Sequence, residues 1–600
     1  VTDLSNMGEN VFYRVPVESL DLSDWKIPKV TDMSNAFTGW KTLTTLSLKN
    51  WDLSNITDLN KLGEKVFGNI PVKTLDLSGW KTPNVTDMIS AFASWKTLTT
   101  LSLKDWDTSN VKSMYQMFYY SDSLKDLDIS GWDTSSVTEM SYMFCGLSSL
   151  TKLDVTHFDT SKVSTMRFMF ADMSSLTELD VTHFDTSKVV RMSGMFTNMS
   201  SLTELDVTSF DTSNVTNMNG MFNGMSSLTE LDVKNFDTSK VSDMNVMFKN
   251  MSNLKKLDMS GFNVSKVATS SAMFENTDQI ESLVMNDWEF GDKSSLAFLK
   301  ESIFQYTKNL KTLEAKGWDV SNFTSLENLY QSVFNTLTQV TEMDLSGWKT
   351  PNVTNMQSMF SGAGNLESLN LSGWNTSKVT TMETMFDNMN CLKTLDISDW
   401  DTSNVTTMRF MFSGTNVEEL DLSKWNTSST TNMHAMFFNM PNLKKLDISG
   451  WTLPESDTIN LSGISNMFEK TLNIETLKMN HVNLSSAKTL SPLKESIFQY
   501  TNNLKTLEAK GWDVSNVTSL EDLYKSVFNA PTQVTEMDLS GWKTPNVTNM
   551  KSMFLGAGKL KSLNLSGWDT SKVTDMANMF NGMSSLTDLD VTNFDTSSVT

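Results

Sequence analysis

The chain has 600 residues, 48 basic against 70 acidic side chains, and a net charge of −22. That balance works against nucleic acid and against anionic membrane surfaces as partners, and no basic run offsets it. Cys145 and Cys391 stand in different phases of the sequence, too few for a disulfide ladder or a metal pair, and no apolar run is long enough to insert in a bilayer.

Residues 1–110 hold a double unit, in which Trp25 and Trp51 recur 55 positions later as Trp80 and Trp106. Residues 111–290 are the most regular block: Phe144, Phe170, Phe196, Phe222, Phe248 and Phe274 stand 26 residues apart. The blocks 291–480 and 485–600 contain a large internal duplication. Leu299 to Thr307 recurs as Leu493 to Thr501, and Trp318, Trp348 and Trp374 recur as Trp512, Trp542 and Trp568. A fixed period of this size predicts a solenoid, in which each unit buries its apolar face only against its neighbours. The expectation is one continuous array over 1–600, about 22 units of mostly 26 residues and some of 30. It opens and closes in mid-repeat, which predicts a section of a longer protein with any export signal or anchor outside it.

One unit, residues 150–176, shows the expected architecture. Leu150, Leu153 and Val155 form L-x-x-L-x-L, the strand signature of a leucine-rich repeat, with Lys152, Asp154 and Thr156 facing solvent. Three residues later an aromatic position recurs as Trp132, Phe158, Phe184, Phe210 and Phe236, predicted as a buried structural spine stacked rung on rung. Asp159-Thr160-Ser161 follows, with Thr160 as the expected N-cap of a short helix. Val163, Met166, Met169, Phe170 and Met173 give that helix its apolar stripe, the methionines serving as core filler. In a 30-residue unit, four extra residues add about one helical turn, and Phe323, Leu326, Leu329, Val333 and Leu337 continue the stripe. The predicted fold class is therefore an α/β solenoid: a right-handed leucine-rich repeat array with a parallel sheet on one face and short helices on the other.

The phrases Leu127-Asp128-Ile129-Ser130-Gly131-Trp132-Asp133-Thr134-Ser135 and Met221-Phe222-Asn223-Gly224-Met225-Ser226-Ser227-Leu228 resemble the BspA-like leucine-rich repeats of bacterial surface proteins, across essentially the whole chain. The resemblance implies a secreted protein displayed on the cell surface or cell wall that adheres to host or neighbouring cells. The acidic, cysteine-poor composition is similar to that of Gram-positive surface proteins.

Candidate binding residues are Asp154, Asp180, Asp206, Asp232 and Asp258, one per rung on the sheet face. They predict either an acidic groove for a basic ligand or calcium, or a solvated face whose carboxylates are relieved by Ser and Thr. A second ladder, Asp133, Asp159, Asp185, Asp211 and Asp237, reads as a row of Asx-turns. Catalysis needs one constellation with separated pKa values, and the same Asp on every rung is not one, so no enzyme, catalytic residue, metal site or cofactor is expected. His157 and His183 on adjacent rungs make a weak metal pair, while His434 and His481 are isolated. The irregular stretch 452–463, followed by His481-Val482 where the aromatic spine lapses, is the first place for a unique site. The predicted function is adhesion through a multivalent sheet face to an extracellular protein or glycan, with self-association possible. The alternative is a structural stalk for a binding domain outside this segment.

Overall fold

The computed structural model describes residues 2–7, 15–68, 70–291, 299–304, 306–330, 339–454, 463–501, 503–529 and 532–600. Two compact units, Val1–Leu310 and Lys311–Thr600, are each built as a parallel-sheet β-solenoid, with about 21 turns along the chain. Every strand among the described residues is three residues long and, apart from Ser282–Val284, reads polar–apolar–polar, because alternation leaves one inward side chain per strand.

In the first unit Ser19–Asp21, Thr45–Ser47, Thr74–Asp76, Thr100–Ser102 and Asp126–Asp128 pair in sequence, all parallel. Leu20, Leu46, Leu75, Leu101 and Leu127 lie in register. Glu230–Asp232, Lys256–Asp258 and Ser282–Val284 form a second ladder. In the second unit Thr312–Glu314, Glu342–Asp344 and Ser368–Asn370 pair, then Glu419–Asp421 through Lys445–Asp447 and Thr476–Lys478 to Thr506–Glu508, then Glu536–Asp538, Ser562–Asn564 and Asp588–Asp590.

The short helices expected in each 26-residue unit are absent from the described residues of those units. The segment after Thr160 is a pair of tight turns carrying its own parallel ladder. Met166, Phe168, Phe170 and Asp172 donate their N–H groups to the carbonyls of Arg191, Ser193, Met195 and Thr197 on the next rung, at 2.7–3.1 Å. Phe168 (φ 52°) and Asp172 (φ 60°) are left-handed, and a left-handed residue every fourth position cannot continue an α-helix. The apolar spacing of three and four arises because Val163 and Met169 close three-residue turns onto Thr160 and Met166. Helices do occur in long units: Gly63–Phe67, Leu299–Phe304, Ser491–Ser496 with Phe498–Tyr500, and Lys525–Asn529. There the lengthened turn winds on itself while keeping backbone bonds to neighbouring rungs, as from the Gly63 N–H to Ala91 and from the Asn35 N–H to Lys65. Phe323, Leu326 and Leu329 of the lengthened stripe are buried, whereas Val333 and Leu337 lie outside the described residues.

Thr160 is not an N-cap. Its hydroxyl is buried and donates to the carbonyl of Asp185 on the next rung at 2.9 Å. Thr134 does the same to Asp159 at 2.9 Å and also accepts the Asp159 N–H at 2.8 Å. This threonine is an inter-rung staple, because a fully buried hydroxyl must find partners and the neighbouring backbone supplies them.

The core is a double column. The Phe of each Met-Phe pair stacks on its neighbour: Phe118, Phe144, Phe170, Phe196, Phe222 and Phe248 follow one another at 5.7–5.9 Å with planes within 10°. Met166, Met169 and Met173 are fully buried beside them. The expected spine residues Trp132, Phe158, Phe184, Phe210 and Phe236 are buried as well, but Phe158, Phe184 and Phe210 lean on the Met-Phe column at 6.3 Å instead of stacking on each other.

Tryptophan at the spine position adds a bond that phenylalanine cannot. The indole N–H of Trp51, Trp80, Trp106 and Trp132 reaches back to the carbonyls of Leu22, Leu48, Leu77 and Leu103 on the preceding rung, at 2.6–2.9 Å. After Trp132 the spine continues as Phe158, Phe184 and Phe210, and rungs 152–154, 178–180 and 204–206 form no sheet ladder. Their turn-side bridges, Glu139 to Thr165 to Arg191 to Asn217, continue unbroken. The phenylalanine rungs at 230–236 and 256–262 do pair, so the indole bond favours the ladder without dictating it.

Candidate functional site

Asp154, Asp180 and Asp206 project from the unladdered rungs, and each folds its Oδ1 onto the residue two positions on. Asp154 accepts the Thr156 N–H at 3.0 Å and hydroxyl at 2.7 Å, Asp180 those of Thr182 at 3.0 and 2.6 Å, and Asp206 those of Thr208 at 2.9 and 2.6 Å. These Thr hydroxyl and backbone bonds hold all three carboxyls below the ordinary Asp value. Asp258 accepts the Ser260 N–H at 2.9 Å and its hydroxyl at 2.6 Å. Asp232 has Lys234 in that place, taking its N–H at 3.1 Å and pairing with its ammonium at 2.9 Å. The five carboxylates therefore share one rung position but are not brought together into a single constellation.

The second ladder closes Asx-turns: the N–H groups of Ser135, Ser161, Ser187, Ser213 and Ser239 bond Asp133, Asp159, Asp185, Asp211 and Asp237 at 2.9–3.0 Å. Their side-chain and backbone bonds to those serines lower all five carboxyls.

Among the described residues no group of three or more His, Cys, Asp or Glu side chains is placed to hold a metal ion, calcium included. His157 faces the Ile129 carbonyl at 3.2 Å, taking the acceptor that an indole would use. His183 packs beside Thr182 and Asp180. His434 is buried against Ser465 at 2.7 Å, and burial lowers its imidazole pKa. His481 lies over Gly511, and Val482 fills the buried spine position next to it. Cys145 is buried and free, its thiol pushed up to about 12 by desolvation, and Cys391 is also free. Residues 455–462 of the irregular stretch lie outside the described residues. Thr452 is an ordinary rung residue stapled to Thr427 at 2.8 Å.

Two features escaped the sequence reading. Beside the rung at 394–396, joined to the preceding strand by a single bridge from Thr394 to Ser368, a cavity of about 770 Å³ opens over Leu369 and Leu395. Three of the charges on its rim are matched, Lys393 to Glu367, Glu418 to Lys444 at 2.9 Å and Glu419 to Lys445 at 2.6 Å, and Asp396 bonds the N–H and hydroxyl of Ser398. The signal available was the 25-residue spacing from Trp400 to Trp425, one short of the period. The other feature is a surface cluster of aromatic side chains on the turn side, around Tyr142.

The sequence model of the family described as "Mycoplasma protein of unknown function, DUF285" matches residues 2–119, 63–178, 166–288, 298–395, 330–451, 382–493, 452–531 and 524–600. No curated protein matches the chain. Similar solved structures include a TLR13–ssRNA13 complex, at 17% identity over 96% of this chain and 77% of that one, TM-score 0.30. A leucine-rich repeat protein of Bacteroides ovatus matches at 14% identity over 72% and 88%, TM-score 0.26. One from Leptospira interrogans matches at 12% over 88% and 91%, TM-score 0.24.

Proposed function

Starting from a chain that belongs to the DUF285 repeat family, we propose that it is a non-catalytic, BspA-like scaffold at a bacterial cell surface, adhering to extracellular macromolecules by many weak contacts along its sheet side. One observation carries the reading: the same acid–hydroxyl pair returns rung after rung, as Asp154–Thr156, Asp180–Thr182 and Asp206–Thr208, with Oδ1 held by its own rung. A preset carboxylate on each rung suits repeated shallow contact, where avidity comes from number. The acidic surface favours basic or neutral protein and glycan partners over polyanions. The same satisfied Oδ1 also fits a second reading, a stalk whose turns are self-contained and whose binding domain lies elsewhere.

Binding of the full 600-residue chain to mucin- and collagen-coated sensors separates the two. Asp→Asn substitution at one, three and then all five of Asp154, Asp180, Asp206, Asp232 and Asp258 lowers avidity in graded steps if the sheet side adheres. A single all-or-none step, or undiminished binding with all five replaced, removes the multivalent reading. No binding by the unmodified chain leaves the stalk.

A further inference from the structure

In the two rungs that follow residue 190 the turn side is lined by small polar residues. Around each Met-Phe phenylalanine, the positions three and two before and one and two after read Ser193, Gly194, Thr197 and Asn198 in one rung, and Asn219, Gly220, Asn223 and Gly224 in the next. Rungs 115–168 break this rule with five aromatic side chains at those same positions. Tyr115 meets Tyr142 edge-on at 5.9 Å, Tyr119 meets Tyr120 at 4.6 Å and Tyr142 at 5.9 Å, and Tyr142 stacks on Phe168 at 5.1 Å with planes 14° apart. Tyr120 is 38% exposed and the other four are half-buried, so the cluster is open to solvent.

The fold does not need these rings. The neighbouring rungs make the same inter-rung hydrogen bonds with Gly194 and Gly220 where this stretch has Tyr142 and Phe168. Three of the aromatics, Tyr120 at φ 53°, Tyr142 at φ 60° and Phe168 at φ 52°, occupy the left-handed positions that other rungs fill with Asn198, Asn250, Ser358 or Thr384. Room is made for them: a Cβ on Gly146 would come within 2.8 Å of the Tyr120 ring, and one on Gly194 within 2.1 Å of the Phe168 ring. Bulky rings matched by glycines at a solvent-open patch point to recognition, because packing alone is served as well by the small residues of the next rungs.

The chemistry of the patch selects its occupant. It is wholly aromatic, without an aliphatic side chain among the five, and its edges are polar. The Tyr120 hydroxyl donates to Asp172 Oδ2 at 3.0 Å across the intervening rung, and Asn198 Nδ2 donates to the other oxygen at 2.8 Å. Lys96 bonds Asp122 and the Tyr120 carbonyl, both at 3.0 Å. Ring faces beside fixed acceptors match a pyranose, which offers an apolar C–H face and a hydroxylated edge. A carboxylate rim on a chain of net charge −22 disfavours acidic sugars. A homologous cluster in the second unit, Phe410, His434 and Phe438, has cations over two of its rings, Arg409 at 5.1 Å and Lys470 at 5.0 Å, whereas the tyrosine cluster has one, Lys96 at 5.9 Å from the Tyr120 ring. We propose that Tyr115, Tyr119, Tyr120, Tyr142 and Phe168 form a binding platform for neutral pyranose oligosaccharides, distinct from the acidic sheet side.

Calorimetry and saturation-transfer NMR of the full chain with chitohexaose, cellohexaose and β-1,4-galactotetraose test the platform. Saturable binding of at least one sugar is expected. Tyr142→Gly with Tyr120→Asn should weaken it at least tenfold, and these variants fold because neighbouring rungs already carry Gly194, Gly220, Asn198 and Asn250 at the same positions. Tyr120→Phe, which removes only the bond to Asp172, should cost less than Tyr120→Asn. The proposal is overturned if none of the three sugars saturates by about 10 mM. It is equally overturned if the double variant binds as well as the original, or if a protein ligand and no sugar responds to the substitutions.

Discussion

Replacing Trp106 by phenylalanine tests whether the indole bond holds one rung to the last. Trp106 is 1% exposed and its Nε1–H donates to the Leu77 carbonyl at 2.6 Å. Losing one buried neutral hydrogen bond costs about 1 kcal/mol. The smaller ring leaves a gap worth about another 1 kcal/mol. The orphan-carbonyl penalty of about 1–3 kcal/mol need not be added. Where the chain has phenylalanine the same acceptor is satisfied within its own turn, as Val155 is by the Phe158 N–H at 3.0 Å. The total is about 2 kcal/mol, which raises local opening roughly 30-fold. Hydrogen–deuterium exchange reads this directly, and a repeat array of this length does not unfold in one step, so a local probe is the sound one. The amides of Leu77 and Gly79, which donate to Ser102 and Lys104, should lose protection, while turn-side Ser90 and Phe92 should keep theirs. Unchanged protection at Leu77 and Gly79, or equal loss at Ser90 and Phe92, would refute the clamp.

Thr134→Val removes a buried hydroxyl that serves both the N–H and the carbonyl of Asp159, so about 2–4 kcal/mol of local stability should be lost, seen as faster exchange over 133–137 and 159–163. Tyr524 stands in the phenylalanine column with a buried hydroxyl that has no hydrogen-bond partner, so Tyr524→Phe should leave stability unchanged or raise it by about 1 kcal/mol in a thermal melt. The Asp–Ser and Asp–Thr turns set a direction for pH. Because the folded carboxyls of Asp133, Asp154, Asp159, Asp180 and Asp206 are depressed, their contribution is whole above the unfolded value near 4 and fades as pH falls through the lower folded values. Melting temperature should therefore drop from pH 5 to pH 2 and less steeply in a chain carrying Asp→Asn at these five sites; parallel slopes would contradict the assignment.

The period, the buried methionines and the Asx-turns were legible because each follows from residue type and spacing alone. The tight turns of the turn side were not, because Val163, Met166, Met169 and Met173 satisfy a helical stripe and a pair of tight turns equally well. The discriminating signal lay two residues after each phenylalanine: Asp172, Asn198, Gly224, Asn250 and Asn276 are residues that tolerate left-handed backbone. Thr160 looked like an N-cap for the same reason, since Asp-Thr-Ser also opens helices. The tyrosine cluster was invisible to any reading that averaged the repeat, because Tyr120 and Tyr142 matter by differing from it.

Rungs joined on one edge only behave mechanically unlike rungs joined on both. From Asp128 to Glu230 successive turns are tied through the Met166-to-Asp172 type of ladder and through threonine staples, while the opposite edge has no strand ladder and only side-chain bonds such as His157 to the Ile129 carbonyl. Such a stretch opens like the pages of a bound book: it bends and fans at little cost while its spine stays intact. Under tension or against a curved surface, this part of the first unit is where length and curvature adjust before any strand ladder has to break.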